Sequence, residues 1–277
     1  GAMVSITGGL TEGDTLAIPS GSLLGGATAS YNSDTGVLTF TGSTTVSNYQ
    51  SMLRAVSFSS TSEDPTSQST TRTVTYSVTD ANASAASNSA QTTTATSTVT
   101  ITAVNDTPVG TAGGSLAYTE NGAATAIDTT ITLIDVDDTQ IVGATVTITS
   151  ALTGDVLGFT GQNDITGIYD ASTGVLTLTG TATLAQYETA LRSVTYRSTS
   201  DDPTVANTRN SRTVTWLVTD ANSDSVGAQI SAGVTSTINI AAVNDATVMV
   251  AGANRAYTEG VSATAISSGL TLSDVDD

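Results

Sequence analysis

Tyr31-Asn32-Ser33-Asp34-Thr35-Gly36-Val37-Leu38-Thr39-Phe40 returns later in the chain as Tyr169-Asp170-Ala171-Ser172-Thr173-Gly174-Val175-Leu176-Thr177-Leu178. The echo is not isolated. Val78-Thr79-Asp80-Ala81-Asn82 recurs at Val218-Thr219-Asp220-Ala221-Asn222, and Val104-Asn105-Asp106 at Val243-Asn244-Asp245. Ala117-Tyr118-Thr119-Glu120 recurs at Ala256-Tyr257-Thr258-Glu259, and Asp135-Val136-Asp137-Asp138 at Asp274-Val275-Asp276-Asp277. Self-similarity at a fixed period marks a tandem array, here with modules of about 139 residues whose small drifts locate loop insertions.

Inside a module the apolar residues alternate with polar ones. Val99, Ile101 and Ala103 do so, as do Ile238, Ile240 and Ala242. Val74, Tyr76 and Val78 match Val214, Trp216 and Val218, while Ile131 and Leu133 match Leu270 and Leu272. A period of two with polar partners predicts strands with one buried face, hence an all-β fold of tandem sandwich modules. Asp170 to Gly174 separates two such runs and predicts a hairpin loop with glycine at its left-handed position. One segment breaks the pattern: Thr183-Leu184-Ala185-Gln186 fits a capping box, with Leu184, Tyr187 and Leu191 on one helical face. Residues 184–192 are therefore expected to form one short helix packed over the sandwich, and 46–54 its twin.

If the Asn-Asp motif closes each module, residues 4–106 are a first module lacking its N-terminal strands and 107–245 a complete one. Residues 246–277 are then the N-terminal strands of a third. A second phasing, 4–138 and 142–277, stays open. Gly1-Ala2-Met3 reads as an expression leftover, so a native export signal is expected outside these 277 residues.

Composition narrows the function. There are 25 acidic residues against 7 basic ones, all arginine, for a net charge of −18. No basic stripe exists to meet phosphate, which argues against nucleic-acid and anionic-membrane partners. With no Cys and no His, disulfides, soft-metal sites and thiol or imidazole catalysis are excluded. An oxygen-only ligand set points instead to a hard divalent cation.

The carboxylates fall at repeated intervals. Asp106 stands to Asp135 and Asp137 as Asp245 stands to Asp274 and Asp276, with identical separations. Glu120 follows Asp106 by the same interval at which Glu259 follows Asp245. Asn, Asp and Gly mark turns everywhere. Gathering carboxylates twice in one arrangement without a cation, however, costs repulsion and desolvation. The repeated set therefore favours Ca²⁺, with Asn105, Asp106, Glu120, Asp135, Asp137, Asn244, Asp245, Glu259, Asp274 and Asp276 as candidate ligands.

This order of motifs resembles the inter-domain calcium linker of cadherins, and most closely the cadherin-like (Ig-like) repeats of large bacterial surface adhesins of the RTX type. Leu191-Arg192-Ser193-Val194-Thr195-Tyr196 and Ser200-Asp201-Asp202-Pro203 carry the same resemblance. It implies that calcium is shared between neighbouring repeats of one polypeptide. Glu120, Asn244, Asp245, Asp274 and Asp276 would form one junction, and Asn105, Asp106, Asp135 and Asp137 the other. Asp80 and Asp220 are weaker candidates, and Asp138 and Asp277 have no assigned place. The family's glycine-rich nonapeptide repeats are absent here.

The leading expectation is an extracellular, calcium-rigidified spacer on a bacterial surface, which holds a distal binding domain away from the cell. The alternative is a carbohydrate- or protein-binding module using Trp216 or exposed tyrosines such as Tyr118 and Tyr257, although Trp216 alternates with Val214 and Val218 as a core residue would. An enzyme is not expected: Asp201-Asp202 could resemble a glycosidase pair, but acids before Pro203 read as a turn, repeated at Glu63-Asp64-Pro65. The matching halves at opposite ends also predict head-to-tail association between copies.

Overall fold

A computed structural model describes residues 1–81, 90–222 and 227–276; Asn82 and Asp277 of the repeated motifs lie outside the described residues. The described chain separates into two compact units, residues 1–106 with Gly227, and residues 107–222 with 228–276.

The first unit contains β1 (Ala2–Gly8), β2 (Asp14–Ala17), β3 (Thr28–Asn32) and β4 (Val37–Thr41), followed by helix α1 (Val46–Arg54). It continues through β5 (Ser57–Ser60), β6 (Thr71–Thr79) and β7 (Thr92–Thr100). Five strands form one sheet in the order β3-β4-β1-β6-β7, and β2 pairs with β5 in a second. Ala2 and Met3, set aside as an expression leftover, lie within β1, where Ala2 is buried opposite Phe40 and Val78.

The second unit opens with β8 (Val109–Thr111), β9 (Ser115–Thr119), β10 (Thr125–Ala126) and β11 (Thr132–Ile134). Then come β12 (Gln140–Thr149), β13 (Asp155–Gly158), β14 (Thr166–Asp170), β15 (Val175–Thr183) and helix α2 (Leu184–Arg192). It continues with β16 (Thr195–Ser198), β17 (Ser211–Asp220) and β18 (Val234–Ala241). The main sheet runs β14-β15-β12-β17-β18-β9, with a three-stranded sheet β10-β16-β13 and a pair β8-β11. Residues of these sheets share one core that includes Val146, Trp216, Tyr196 and Leu133. Downstream, β19 (Val248–Val250) and β20 (Thr271–Ser273) form a two-stranded pair. The architecture is all-β, sandwich modules each carrying one short helix.

Both helices occupy the expected spans, and the reason is local. Thr183 Oγ1 accepts the Gln186 N–H at 3.3 Å while Gln186 Oε1 accepts the Thr183 N–H at 2.9 Å, so two otherwise orphaned donors are satisfied. The face thus fixed buries Tyr187, Ala190 and Leu191. The hairpin turn is equally local: Asp170 accepts the Ser172 N–H at 2.8 Å, and Gly174 adopts φ 71° where a Cβ would lie 2.8 Å from that of Ala151.

The repeated tyrosine that opens the hairpin has a structural task. Tyr31 donates its hydroxyl to the Asp14 carbonyl and Tyr169 to the Asp155 carbonyl, each at 2.9 Å. Where strands were expected to run longer, pairing stops them. Thr71 begins β6 and pairs with Thr100, so Ile101 and Ala103 lie beyond the ladder, and Ala242 lies just past β18.

Candidate functional site

Carboxylates gather at both ends of the second unit. At one end, the turn after β11 carries Asp135, Asp137 and Asp138. Pairing of β17 with the start of β12, Ile141 opposite Asp220, brings the end of β17 to this turn. One carboxylate oxygen each from Asp135, Asp138 and Asp220 then lie within 4.8 Å of one another. Asp135 Oδ1 accepts the N–H groups of Asp137 and Asp138 at 3.3 and 3.1 Å, shaping the turn. Its other oxygen, Oδ2, is buried with no hydrogen-bond partner. Asp220 is fully buried and accepts the Gln229 N–H at 2.9 and 3.0 Å and the Asn222 N–H at 3.2 Å. Burial, together with Asp137 beside it, pushes the Asp135 carboxyl up to about 6.

At the other end, Glu120 closes β9. Its Oε2 accepts the Val243 N–H at 2.8 Å, while the buried Oε1 has no partner. The Asp245 N–H donates to Asp276 Oδ2 at 3.1 Å, and Thr247 Oγ1 donates to Asp274 Oδ2 at 2.7 Å. Asp245 Oδ2 and Asp274 Oδ1 are enclosed without partners. The Thr247 hydroxyl holds the Asp274 carboxyl below its ordinary range, and the hydrogen-bonded Asp274 raises that of Asp276. Asn244 is exposed and its amide donates to the Asp245 carbonyl at 2.8 Å. Glu259, the counterpart of Glu120, is exposed.

Asn105 and Asp106 close the first unit. Asn105 is buried, and its amide donates to the Gly227 carbonyl at 3.1 Å. Asp80 takes the place in the first unit that Asp220 has in the second, exchanging bonds with Gln91 at 3.0 and 3.2 Å.

Buried carboxylate oxygens without donors are costly, because each has given up water for nothing. At both ends the atoms left in this state are oxygens, and no nitrogen or sulfur ligand is available. Such a set suits a hard cation that takes six to eight oxygens. The residues therefore fit Ca²⁺. Asp138 and Asp220 belong to this grouping although Asp138 had no assigned place and Asp220 only a weak one. The available signal was the repetition of Val-Thr-Asp-Ala-Asn at a strand end in both copies.

Of the residues that could serve other functions, Tyr257 is exposed, whereas Trp216, Tyr118 and the acidic turns have structural roles. Trp216 is buried and donates its indole N–H to Ser236 Oγ at 2.9 Å. Tyr118, expected to be exposed, is instead buried edge-on against Tyr196 with ring centroids 5.0 Å apart, because Leu116 and Tyr118 form the inward face of β9. Asp202 accepts the N–H groups of Thr204 and Ala206, and the Pro203 carbonyl accepts a bond from Arg212 at 2.7 Å. Pro65 plays the same part for Arg72. The acidic turn thus positions a buried arginine. Among the described residues, no helix is long and apolar enough to cross a membrane.

No protein-family profile matches the chain. A stretch of 91 residues is 40% identical to halomucin of Haloquadratum walsbyi, covering 30% of this chain and 1% of that protein. Among solved structures, PcdhgB3 EC1-4 overlaps with a TM-score of 0.33 and 14% identity, over 91% of this chain and 47% of that one. The Protocadherin GammaB4 extracellular domain gives 0.31 and 14%, over 86% and 29%. Mouse Protocadherin-24 EC1-3 gives 0.28 and 14%, over 83% and 59%. The chain spans less than two thirds of each of these proteins. Overlaps this loose do not define the fold, which rests on the strand pairings.

Proposed function

We propose that this chain is a cadherin-like extender of a bacterial cell-surface adhesin of the RTX type, stiffened by calcium and serving as a spacer. The observation that carries this reading is the set of buried carboxylate oxygens without donors, Asp135 Oδ2 at one end of the second unit and Glu120 Oε1, Asp245 Oδ2 and Asp274 Oδ1 at the other. Asp135, Asp137, Asp138 and Asp220 would hold an ion at the first end, with Asn105 and Asp106 added by the resemblance. Glu120, Asn244, Asp245, Asp274 and Asp276 would hold one at the second. On this reading residues 107–245 are one module and residues 246–277 begin the next.

A bound cation would offset part of the −18 charge and restrict motion where modules join. Both effects suit a spacer better than a binding head. The match to a protein named halomucin agrees with an extracellular setting. Affinity is expected in the range of extracellular modules, roughly 10⁻⁴ to 10⁻³ M.

The test is calorimetric titration of Ca²⁺ into chelator-treated protein, with melting and small-angle scattering followed in parallel. Binding accompanied by a higher melting temperature and a longer, narrower particle is the expected result. No heat of binding at millimolar Ca²⁺, with melting and shape unchanged, would reduce the carboxylate groups to turn-forming residues.

A further inference from the structure

The turn that carries Asp135, Asp137 and Asp138 follows β11, and the sheets do little to hold that strand. It is three residues long and, among the described residues, pairs only with β8, another strand of three. Two short strands are marginal by themselves. The position of the acidic turn therefore depends on what else grips the backbone leading into it.

Helix α2 supplies that grip. Glu188 Oε1 accepts the Leu133 N–H at 2.8 Å, and Arg192 Nε donates to the Ile131 carbonyl at 2.7 Å. Arg192 Nη2 also meets Glu188 Oε2 at 3.2 Å, so the two side chains, one helical turn apart, act as a unit. The carbonyl before a residue and the N–H after it are the groups that a neighbouring strand would engage. Around Thr132 the ion pair takes that strand's place.

The same helix holds the far side of the turn. The N–H of Leu184, its first residue, donates to the Thr139 carbonyl at 3.3 Å. Residues 134–138 are thus strung between two attachments to one element, at Leu133 and at Thr139. The helix is itself anchored by the buried side chains of Tyr187, Ala190 and Leu191 and by the capping box at Thr183. Closing the core requires only that apolar face. Glu188 and Arg192 are half-buried, and their bonds go to the backbone that enters the acidic turn.

We propose that Glu188 and Arg192 are positioning residues for the cation site of Asp135, Asp137, Asp138 and Asp220, a role that rests on the calcium reading above. Neither is a ligand. The pair fixes the backbone from which Asp135, Asp137 and Asp138 hang, so these carboxylates are held in place before an ion arrives and its binding carries less of the cost of ordering them. The short helix that interrupts an otherwise all-β module then serves the site as well as the core.

Residue-resolved NMR of the isotope-labelled full chain tests this, first in EDTA and then as Ca²⁺ is added. The reporters are the Asp137 and Asp138 amides, both bonded to Asp135 Oδ1. Glu188→Leu removes the acceptor at a half-buried position and leaves the core face of α2 intact. In EDTA its Asp137 and Asp138 amides should exchange with solvent several-fold faster, while that of Val146 in β12 exchanges as in wild type. Ca²⁺ affinity read at the two reporters should fall roughly 10- to 100-fold, and affinity read at Asp245 should not change. Glu188→Gln, which keeps the oxygen and gives up the charge, should restore most of both. A wild-type chain that shows no Ca²⁺ response at either end sinks the calcium reading, and the exchange rates in EDTA then decide alone whether the pair sets the turn. The proposal is overturned by a Glu188→Leu chain whose reporters exchange and bind as in wild type. It is equally overturned if Glu188→Gln loses as much as Glu188→Leu, since charge rather than position would then carry the effect.

Discussion

Arg212 and Asp155 meet inside the second unit, Nε to Oδ2 at 2.6 Å with both side chains buried. Arg72 and Asp14 hold the same relation in the first. In each unit the arginine comes from a long strand of the main sheet, β17 or β6, and the acid from a short strand of another sheet, β13 or β2. The pair therefore ties two sheets together. The Leu152 N–H at 2.8 Å and the Tyr196 hydroxyl at 2.6 Å also donate to the Asp155 carboxylate.

Removing one partner would strand the other. Arg212→Met is expected to destabilise the second unit by about 3–5 kcal/mol, since an uncompensated buried carboxylate remains. Adding Asp155→Asn should recover part of that loss. Urea unfolding of the single and double variants measures both, and a double variant no more stable than Arg212→Met alone would show that packing rather than charge carries the effect.

The ligand assignment makes a sharper demand of Asp220 than of acids elsewhere. Asp220→Asn should weaken Ca²⁺ binding by about tenfold or more and remove much of the calcium-dependent rise in melting temperature. Asp201→Asn, on the exposed acidic turn, should leave both unchanged. Calorimetry on the two variants separates a specific site from general screening of negative charge.

Trp216 reports on the core. Its ring is buried and its N–H is satisfied, so emission should be blue-shifted in the folded chain and insensitive to added oligosaccharides. Trp216→Ala should cost about 3–5 kcal/mol, as large-to-small changes in a packed core do. Quenching by a sugar without unfolding would return the tryptophan to the status of a binding residue.

The indole bond is the first step of a relay: Trp216 donates to Ser236, and Ser236 donates to Asp128 Oδ2 at 2.7 Å. Burial alone would raise the Asp128 carboxyl. The Thr130 and Ser236 hydroxyls and the N–H groups of Thr130 and Gly114 outweigh it and hold the group far below the usual carboxylate range. A depressed folded pKa gives stability that is fully present above the unfolded value, about 3.9, and is lost as pH falls toward the folded one. Asp128→Asn should therefore be less stable than wild type at neutral pH by about 1–3 kcal/mol. The gap should narrow as the pH is lowered from 4 toward 2. Denaturant melts of both proteins across that range provide the check.

Much of this architecture is legible in the residues alone, and the parts that are not share a cause. Helices α1 and α2 are legible because a threonine N-cap and an apolar face are contained within about ten residues, with a full capping box at α2. The repeat fixes the equivalences between units, since each copy vouches for the other. The grouping of Asp135 and Asp138 with Asp220 is not legible, because it depends on β17 pairing with β12, a long-range choice that residue spacing does not encode. The burial of Tyr118, expected to be exposed, is by contrast legible, since Leu116 and Tyr118 alternate in the same period-two pattern that marks the other strands.

The parallel pairing of β9 with β18 joins the early part of the second unit to its end through five residue pairs, Ser115 opposite Thr237 to Thr119 opposite Ala241. Tension applied to the polypeptide on either side would slide these two strands along each other lengthwise. All the rungs between them would then carry load at once, instead of parting one by one as a peeled hairpin does. A chain of such units is suited to being pulled, and would hold its length under drag that opens a zipper-like fold.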